Sequence, residues 1–234
     1  MAKDDSKLPS RATEGAVAEF LTQVARVPPQ PGTRRGRLLF AIDATASREP
    51  TWDMASKIQG EMFSATGALG GLEVQLLFYR GFGECKTSAW VSSPAALVKQ
   101  MSAVQCLAGE TQIAKLLRHA IAETRKKRIN AVVFVGDAME ESMDRLCGLA
   151  GELGLLGVPL FIFHEGRDAE AERAFREMAR LSRGAYCPFD AGSAHQLKEL
   201  LGAVAVYAAG GIRALEAYGR KTGGLVPLLT RQVK

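Results

Sequence analysis

Three oxygen-bearing side chains stand at alternate positions in Asp43-Ala44-Thr45-Ala46-Ser47. A loop leaving a strand can turn such alternate side chains toward one point. Hard divalent cations such as magnesium take oxygen ligands in an octahedron. The hydroxyls of Thr45 and Ser47 would supply neutral donors, and an aspartate would supply charge directly or through water. The competing reading of the same three residues is a capping role at the start of the next helix.

Such a site needs elements to position it. Arg37-Leu38-Leu39-Phe40-Ala41-Ile42 is a short apolar run that reads as a strand buried on both faces. Ala131 to Gly136 reads the same way. The two runs end in Asp43 and in Gly136-Asp137. Further strands are expected at 72–79, 84–91, 158–163 and 185–187. The short Gly81-Phe82-Gly83 turn makes the pair 72–79 and 84–91 an antiparallel hairpin. Helices are expected from Pro50 to about Thr66, a good first helical residue being proline, and at 111–127, 141–155, 168–182 and 193–218. The last is expected to kink at Gly210-Gly211. Strands alternating with helices predict an α/β fold with a doubly wound, mostly parallel sheet, one antiparallel edge strand and helices on both faces. Ligands of such sheets sit at the carboxyl ends of the strands, where Asp43 and Asp137 both emerge.

Asp43-x-Thr45-x-Ser47 resembles the D-x-S-x-S motif of von Willebrand factor A (VWA) domains, with Thr in place of the first Ser. Gly109-Glu110-Thr111-Gln112-Ile113-x-x-x-Leu117 resembles the family segment that carries a separate threonine and opens a helix. Val132-Val133-Phe134-Val135-Gly136-Asp137 resembles the strand bearing its second aspartate. Order and spacing match over about residues 37–208. The resemblance implies a metal-ion-dependent adhesion site at Asp43, Thr45, Ser47, Thr111 and Asp137. Thr45, Ser47 and Thr111 would be direct ligands to Mg2+ or Mn2+, and the aspartates would act mostly through water. The ion would keep an open position for an Asp or Glu of a partner protein. Intracellular VWA proteins often work beside AAA+ ATPases or in metal-insertion or stress-related assemblies, which is what the resemblance implies about partners. Arg48 and Glu49, directly after the motif, depart from the usual pattern.

An enzymatic alternative stands beside this. Asp43-x-Thr45 with Gly136-Asp137-x-x-x-Glu141 resembles haloacid-dehalogenase-type phosphotransferases, with Asp43 as nucleophile and Lys115 as a loosely placed lysine. Phosphatases of that class want an acid two residues after the nucleophile, and Thr45 stands there. No Gly-x-Gly-x-x-Gly or Walker loop follows the first strand, which argues against dinucleotide or ATP binding. The expectation is a non-catalytic interaction module.

The 234-residue chain carries a net charge of +5. Lys and Arg number six against four acids over residues 1–36, 19 against 20 over 37–210, and five against one over 211–234. The basic excess lies at the ends, and a nucleic-acid-binding core would be expected to hold it itself. The division expected is an N-terminal helix and Pro-rich linker at 1–36, a VWA-like domain at 37–210 and a basic extension at 211–234. In the first, Val17, Phe20, Leu21 and Val24 form an apolar stripe after Thr13, and Pro28 to Gly32 ends the helix. That stripe is expected to dock on the domain's own helices, beside 193–218, with docking on a partner subunit as the alternative. The apolar tail segment Leu225–Leu229 is left open between folding back, binding a partner and being a loose end.

Cys85, Cys106, Cys147 and Cys187 lie far apart with no CxxC pair, so no structural zinc is expected. With no apolar N-terminal stretch and no run of 18 apolar residues, the expectation is a cytoplasmic protein with free thiols and no membrane span. His164-Glu165 follows a strand and reads first as an ordinary loop. His119 and His195 read as solvent-facing. Arg173, Arg176, Arg180 and Arg183 form a helical stripe that Glu172 and Glu177 can pair. Arg125 to Arg128 end a helix, where its dipole favours cations.

Overall fold

A computed structural model describes residues 35–58, 71–189 and 194–222. The strands are β1 (Gly36–Asp43), β2 (Leu72–Arg80), β3 (Glu84–Thr87), β4 (Ala131–Gly136), β5 (Leu160–Glu165) and β6 (Ala185–Phe189). The helices are α1 (Glu49–Ile58), α2 (Pro94–Ser102), α3 (Ile113–Lys126), α4 (Met143–Leu155), α5 (Ala169–Leu181) and α6 (Ala194–Thr222). The N-terminal helix and linker, the end of the helix expected to reach Thr66, and the tail at Leu225–Leu229 lie outside the described residues.

The six strands run in the order β3-β2-β1-β4-β5-β6. Every pairing is parallel except β2 with β3. This is the expected doubly wound sheet with one antiparallel edge strand. All eight β1 residues are buried, because helices cover both faces. Leu38, Phe40 and Ile42 share one core with Trp52 of α1, Leu97 and Met101 of α2, and Leu200 to Ala208 of α6. Leu39 and Ala41 face the other, with Leu116 and Leu117 of α3, Leu146 of α4 and Phe175 of α5. The chain leaves β1 toward β2 on one side and later returns to pair β4 on the other. The topological switch point therefore lies between β1 and β4, at Asp43 and Asp137.

Three local expectations change. The strand expected over 84–91 stops at Thr87 and leaves only an isolated bridge between Val74 and Val91. Ser88 interrupts the ladder: its Oγ accepts from the Leu76 N–H at 3.0 Å. Helix α2 has no counterpart in the sequence reading. Ser93 caps it, accepting from Ala96 N, and Pro94 opens it, a Ser-Pro start signal for a helix. Helix α3 begins at Ile113, so Thr111 sits in the loop before it.

Helix α6 bends at Gly211, whose φ of 68° is open to glycine at little cost. Its segment Lys198–Arg220 is long and apolar enough to cross a membrane by length and composition. In the fold 61% of that apolar stretch is buried, and the part that packs on the sheet, Leu200 to Ala208, is nearly inaccessible. Close approach matters here: a Cβ on Gly36 would lie 2.5 Å from the Ala208 carbonyl oxygen.

Candidate metal centre

Asp43 ends β1 and is 1% exposed. Its Oδ1 accepts from the Thr45 N–H at 2.8 Å, and its Oδ2 accepts from the Tyr79 hydroxyl at 3.1 Å. The Tyr79 placement follows from register, because Asp43 and Tyr79 are paired residues of β1 and β2. These bonds hold the carboxylate at the bottom of the cleft and turn the chain upward. Thr45 precedes a single 3-10 turn, Ala46–Arg48, yet its side chain makes no capping bond. Its Oγ1 lies 3.3 Å from Ser47 Oγ instead. Ser47 Oγ donates to Asp137 Oδ2 at 3.1 Å. Four expected ligands, from the ends of β1 and β4, thus form one connected group. The hydroxyls are turned toward the second aspartate, away from helix capping.

Thr111 makes no hydrogen bond to the other four. Its loop is tied to both of theirs. Leu107 N donates to the Ala44 carbonyl at 3.0 Å, between Asp43 and Thr45. On the other side, Thr111 N donates to Glu140 Oε2 at 2.8 Å, and Glu140 N donates to Thr111 Oγ1 at 3.0 Å. This reciprocal pair joins the threonine to the loop that carries Asp137. The adjacent Glu141 accepts from the N–H groups of Ile113 and Ala114, the first residues of α3. A carboxylate there also complements the helix dipole.

The sequence gives no metal-site role to Tyr79 or Glu140, and gives Glu141 one only in the haloacid-dehalogenase alternative, where it would help hold magnesium. The parallel register of two strands was the available signal for Tyr79. For the glutamates only their position three and four residues after Asp137 hinted at a reach across the cleft. His164 is likewise more than a loop residue. It is 1% exposed, its Nδ1 lies 2.8 Å from the Tyr186 hydroxyl, and its Nε2 lies 3.3 Å from the Asp137 carbonyl. Burial lowers its pKa from the ordinary 6.5, and the ring steadies the Asp137 backbone. His119, expected to face solvent, is half-buried with Nε2 2.8 Å from Gln75 Oε1. The side chain of His195 lies outside the described residues. The arginine stripe is paired as read, Arg176 with Glu172 and Arg180 with Glu177.

Burial raises the Asp43 pKa, and Asp137 raises it further, against the pull of the bonds from Thr45 and Tyr79. Among the described residues no ion pair involves Asp43 or Asp137. No three His, Cys, Asp or Glu side chains converge as ligands among them either. The donor set is hydroxyl-rich with two acids, which suits a hard cation and not zinc held by nitrogen and sulfur. Adjacent oxygens of a magnesium octahedron, at 2.0–2.1 Å from the ion, are separated by about 3.0 Å. The Thr45–Ser47 and Ser47–Asp137 separations of 3.3 and 3.1 Å fit that spacing. Each Asp43 oxygen accepts one hydrogen bond and keeps a lone pair for a water or an ion.

No protein-family model matches the sequence, and no curated protein matches it. Solved structures do resemble it. The SpRpn10 VWA domain superposes with a TM-score of 0.56 at 12% identity, covering 73% of this chain and 95% of that domain. An aerotolerance-related membrane protein from Bacteroides fragilis gives 0.55 at 14%, covering 71% and 96%. Proximal thread matrix protein 1 from the mussel byssus, with a zinc-occupied MIDAS motif, gives 0.58 at 14%, covering 73% of this chain and 46% of that one. The fold is that of a VWA domain.

Proposed function

We propose that this chain is a non-catalytic protein-interaction module that holds one Mg2+ or Mn2+ at Asp43, Thr45, Ser47, Thr111 and Asp137. Through the ion's open position it would bind an Asp or Glu of a partner protein. The observation that carries this is the run of contacts from Thr45 through Ser47 to Asp137, which brings the ends of β1 and β4 together at ligand-like spacing. The metal-occupied site in a structural neighbour supports a divalent ion in this fold. The neighbour holds zinc; oxygen donors alone argue for a harder ion here.

The phosphohydrolase alternative fares worse. A nucleophilic carboxylate needs a free oxygen facing its substrate. Asp43 is buried, and both its oxygens accept hydrogen bonds. Lys115 is committed elsewhere, donating to the Gly83 carbonyl and to Gln112 Oε1, each at 2.8 Å. A cytoplasmic setting is part of this reading. An AAA+ ATPase assembly is the partner class that the VWA likeness suggests.

The test is calorimetric titration of chelator-stripped protein with magnesium and manganese, using wild type, Ser47→Ala and Thr111→Ala. Binding of one ion that both substitutions abolish is the expected result. Unchanged affinity in both variants would sink the assignment. Phosphate-ester turnover dependent on magnesium and lost in Asp43→Asn would restore the enzymatic alternative.

A further inference from the structure

We propose that Phe82 is the apolar anchor of the partner interface centred on the metal, so that the partner segment presents an acidic residue with a bulky apolar residue close by. The inference rests on the metal-dependent reading above.

Phe82 tips the β2–β3 turn and is 86% exposed. Single exposed apolar residues are common and need no explanation by themselves. Leu155 is equally exposed, at the far end of α4 from the metal face. Phe82 differs in where it stands and in how firmly it is held. Tyr79 is the residue of β2 level with Asp43. Phe82 stands just past the end of β2, at the tip of the turn that follows. It therefore rises on the rim of the cleft whose bottom is Asp43. Leu107, which is 46% exposed, belongs to the same rim and is tied to the Ala44 carbonyl.

The turn is braced from the Thr111 side of the site. Gln112 Nε2 donates to the carbonyls of Arg80, Gly81 and Glu84 at 3.3–3.4 Å. Glu110 N donates to the Gly81 carbonyl at 3.2 Å, and Lys115 Nζ to that of Gly83 at 2.8 Å. Gly109 packs so closely that a Cβ there would lie 2.2 Å from the Gly81 oxygen. Gly81 and Gly83 take φ values of 59° and 136° on either side of the phenylalanine. An exposed aromatic on a pre-ordered frame loses little conformational freedom on binding, which is the property of an interface anchor. The bracing residues flank Thr111, so anchor and metal are held in one frame.

Charge identifies the occupant. A dication held at the site would select an anionic partner group, which rests on the metal reading above. The partner would thus be a protein segment with an Asp or Glu and, close by, a Leu-, Ile- or Phe-like residue.

A random dodecapeptide phage library panned on the immobilised full chain tests this, with magnesium and with chelator, on wild type, Thr111→Ala and Phe82→Ser. At 86% exposure Phe82 can be replaced without disturbing the core. Wild type with magnesium should enrich an acid plus an apolar residue at fixed spacing. Chelator and Thr111→Ala should remove the acid. Phe82→Ser should keep the acid, lose the apolar preference and bind the selected wild-type peptide at least about tenfold more weakly. An acid enriched without a spaced apolar residue, or equal binding by Phe82→Ser, overturns the role of Phe82 while the metal reading stands. If no magnesium-dependent acid is enriched, both fail.

Discussion

The two ends of β1 each bury a charge, and they treat it differently. Arg37, near the start of the strand, is 4% exposed. Glu73 lies 3.4 Å from its Nε and Glu123 3.9 Å from its Nη2. Its Nη1 donates to the carbonyls of Lys127 and Arg128, and its guanidinium stacks 3.7 Å from the Trp90 ring centre. Burial lowers its pKa, and the two glutamates oppose that shift. Asp43, at the other end, has hydrogen-bond donors but a second carboxylate, Asp137, as its charged neighbour. One end of the strand is electrostatically closed. The other carries surplus negative charge that a cation would complete. A strand of a doubly wound sheet can thus be structural at one end and poised for a ligand at the other.

The largest expected effect comes from opening the closed end. Arg37→Ala strands two carbonyls and a buried aromatic face, and should cost about 3–5 kcal/mol in denaturant unfolding. A loss below about 1 kcal/mol would mean that this pole is not held by the arginine. The same experiment at the other pole should look different. Asp43→Asn removes a buried charge and a repulsion, so in chelator its stability should match or exceed that of wild type.

Magnesium sharpens the contrast. Wild type should gain about 2.7 kcal/mol at a magnesium concentration one hundred times the dissociation constant, read as a rise in melting temperature. Asp43→Asn should lose most of that rise, and Arg37→Lys should keep it. Equal stabilisation of wild type and Asp43→Asn would break the comparison.

The bridge between the Thr111 and Asp137 loops comes next. Glu141→Ala removes the acceptor for the first N–H groups of α3 and should cost about 1 kcal/mol, the usual value of a cap. With Thr111 less firmly placed, magnesium affinity should fall by about tenfold, as for other groups that orient metal ligands. Loss of stability with unchanged metal affinity would reduce Glu141 to a capping role.

The smallest effect expected is a pH slope. Burial lowers the His119 pKa, with Glu123 opposing and Lys126 assisting. The folded state resists protonation there. Its contribution is therefore present above the ordinary value of 6.5 and is lost as pH falls below it. His119→Gln should flatten that decline, whether or not magnesium is present. A slope abolished by magnesium would assign it to the metal pole instead.

Composition and periodicity alone determined much of this protein. Strand alternation predicted the parallel sheet, because buried runs such as Leu38 to Ile42 leave little choice but coverage on both faces. The Gly81-Phe82-Gly83 turn predicted the antiparallel edge. The motif spacing and the likeness to VWA domains nominated all five candidate ligands before any contact was known. Three-dimensional contacts decided the rest. Ser88 ended β3 through one side-chain bond, which β-propensity does not register. Tyr79 met Asp43 because two strands 36 residues apart in sequence align at that level. Glu140 and Glu141 reached Thr111 and α3 across 27–29 positions. His164, read as a loop residue, became a buried support once β6 brought Tyr186 beside it. Local sequence encodes the tendency of each segment and the chemistry it carries. Which second residue stands opposite a ligand depends on register and on loop closure, and those are set only when the whole sheet assembles.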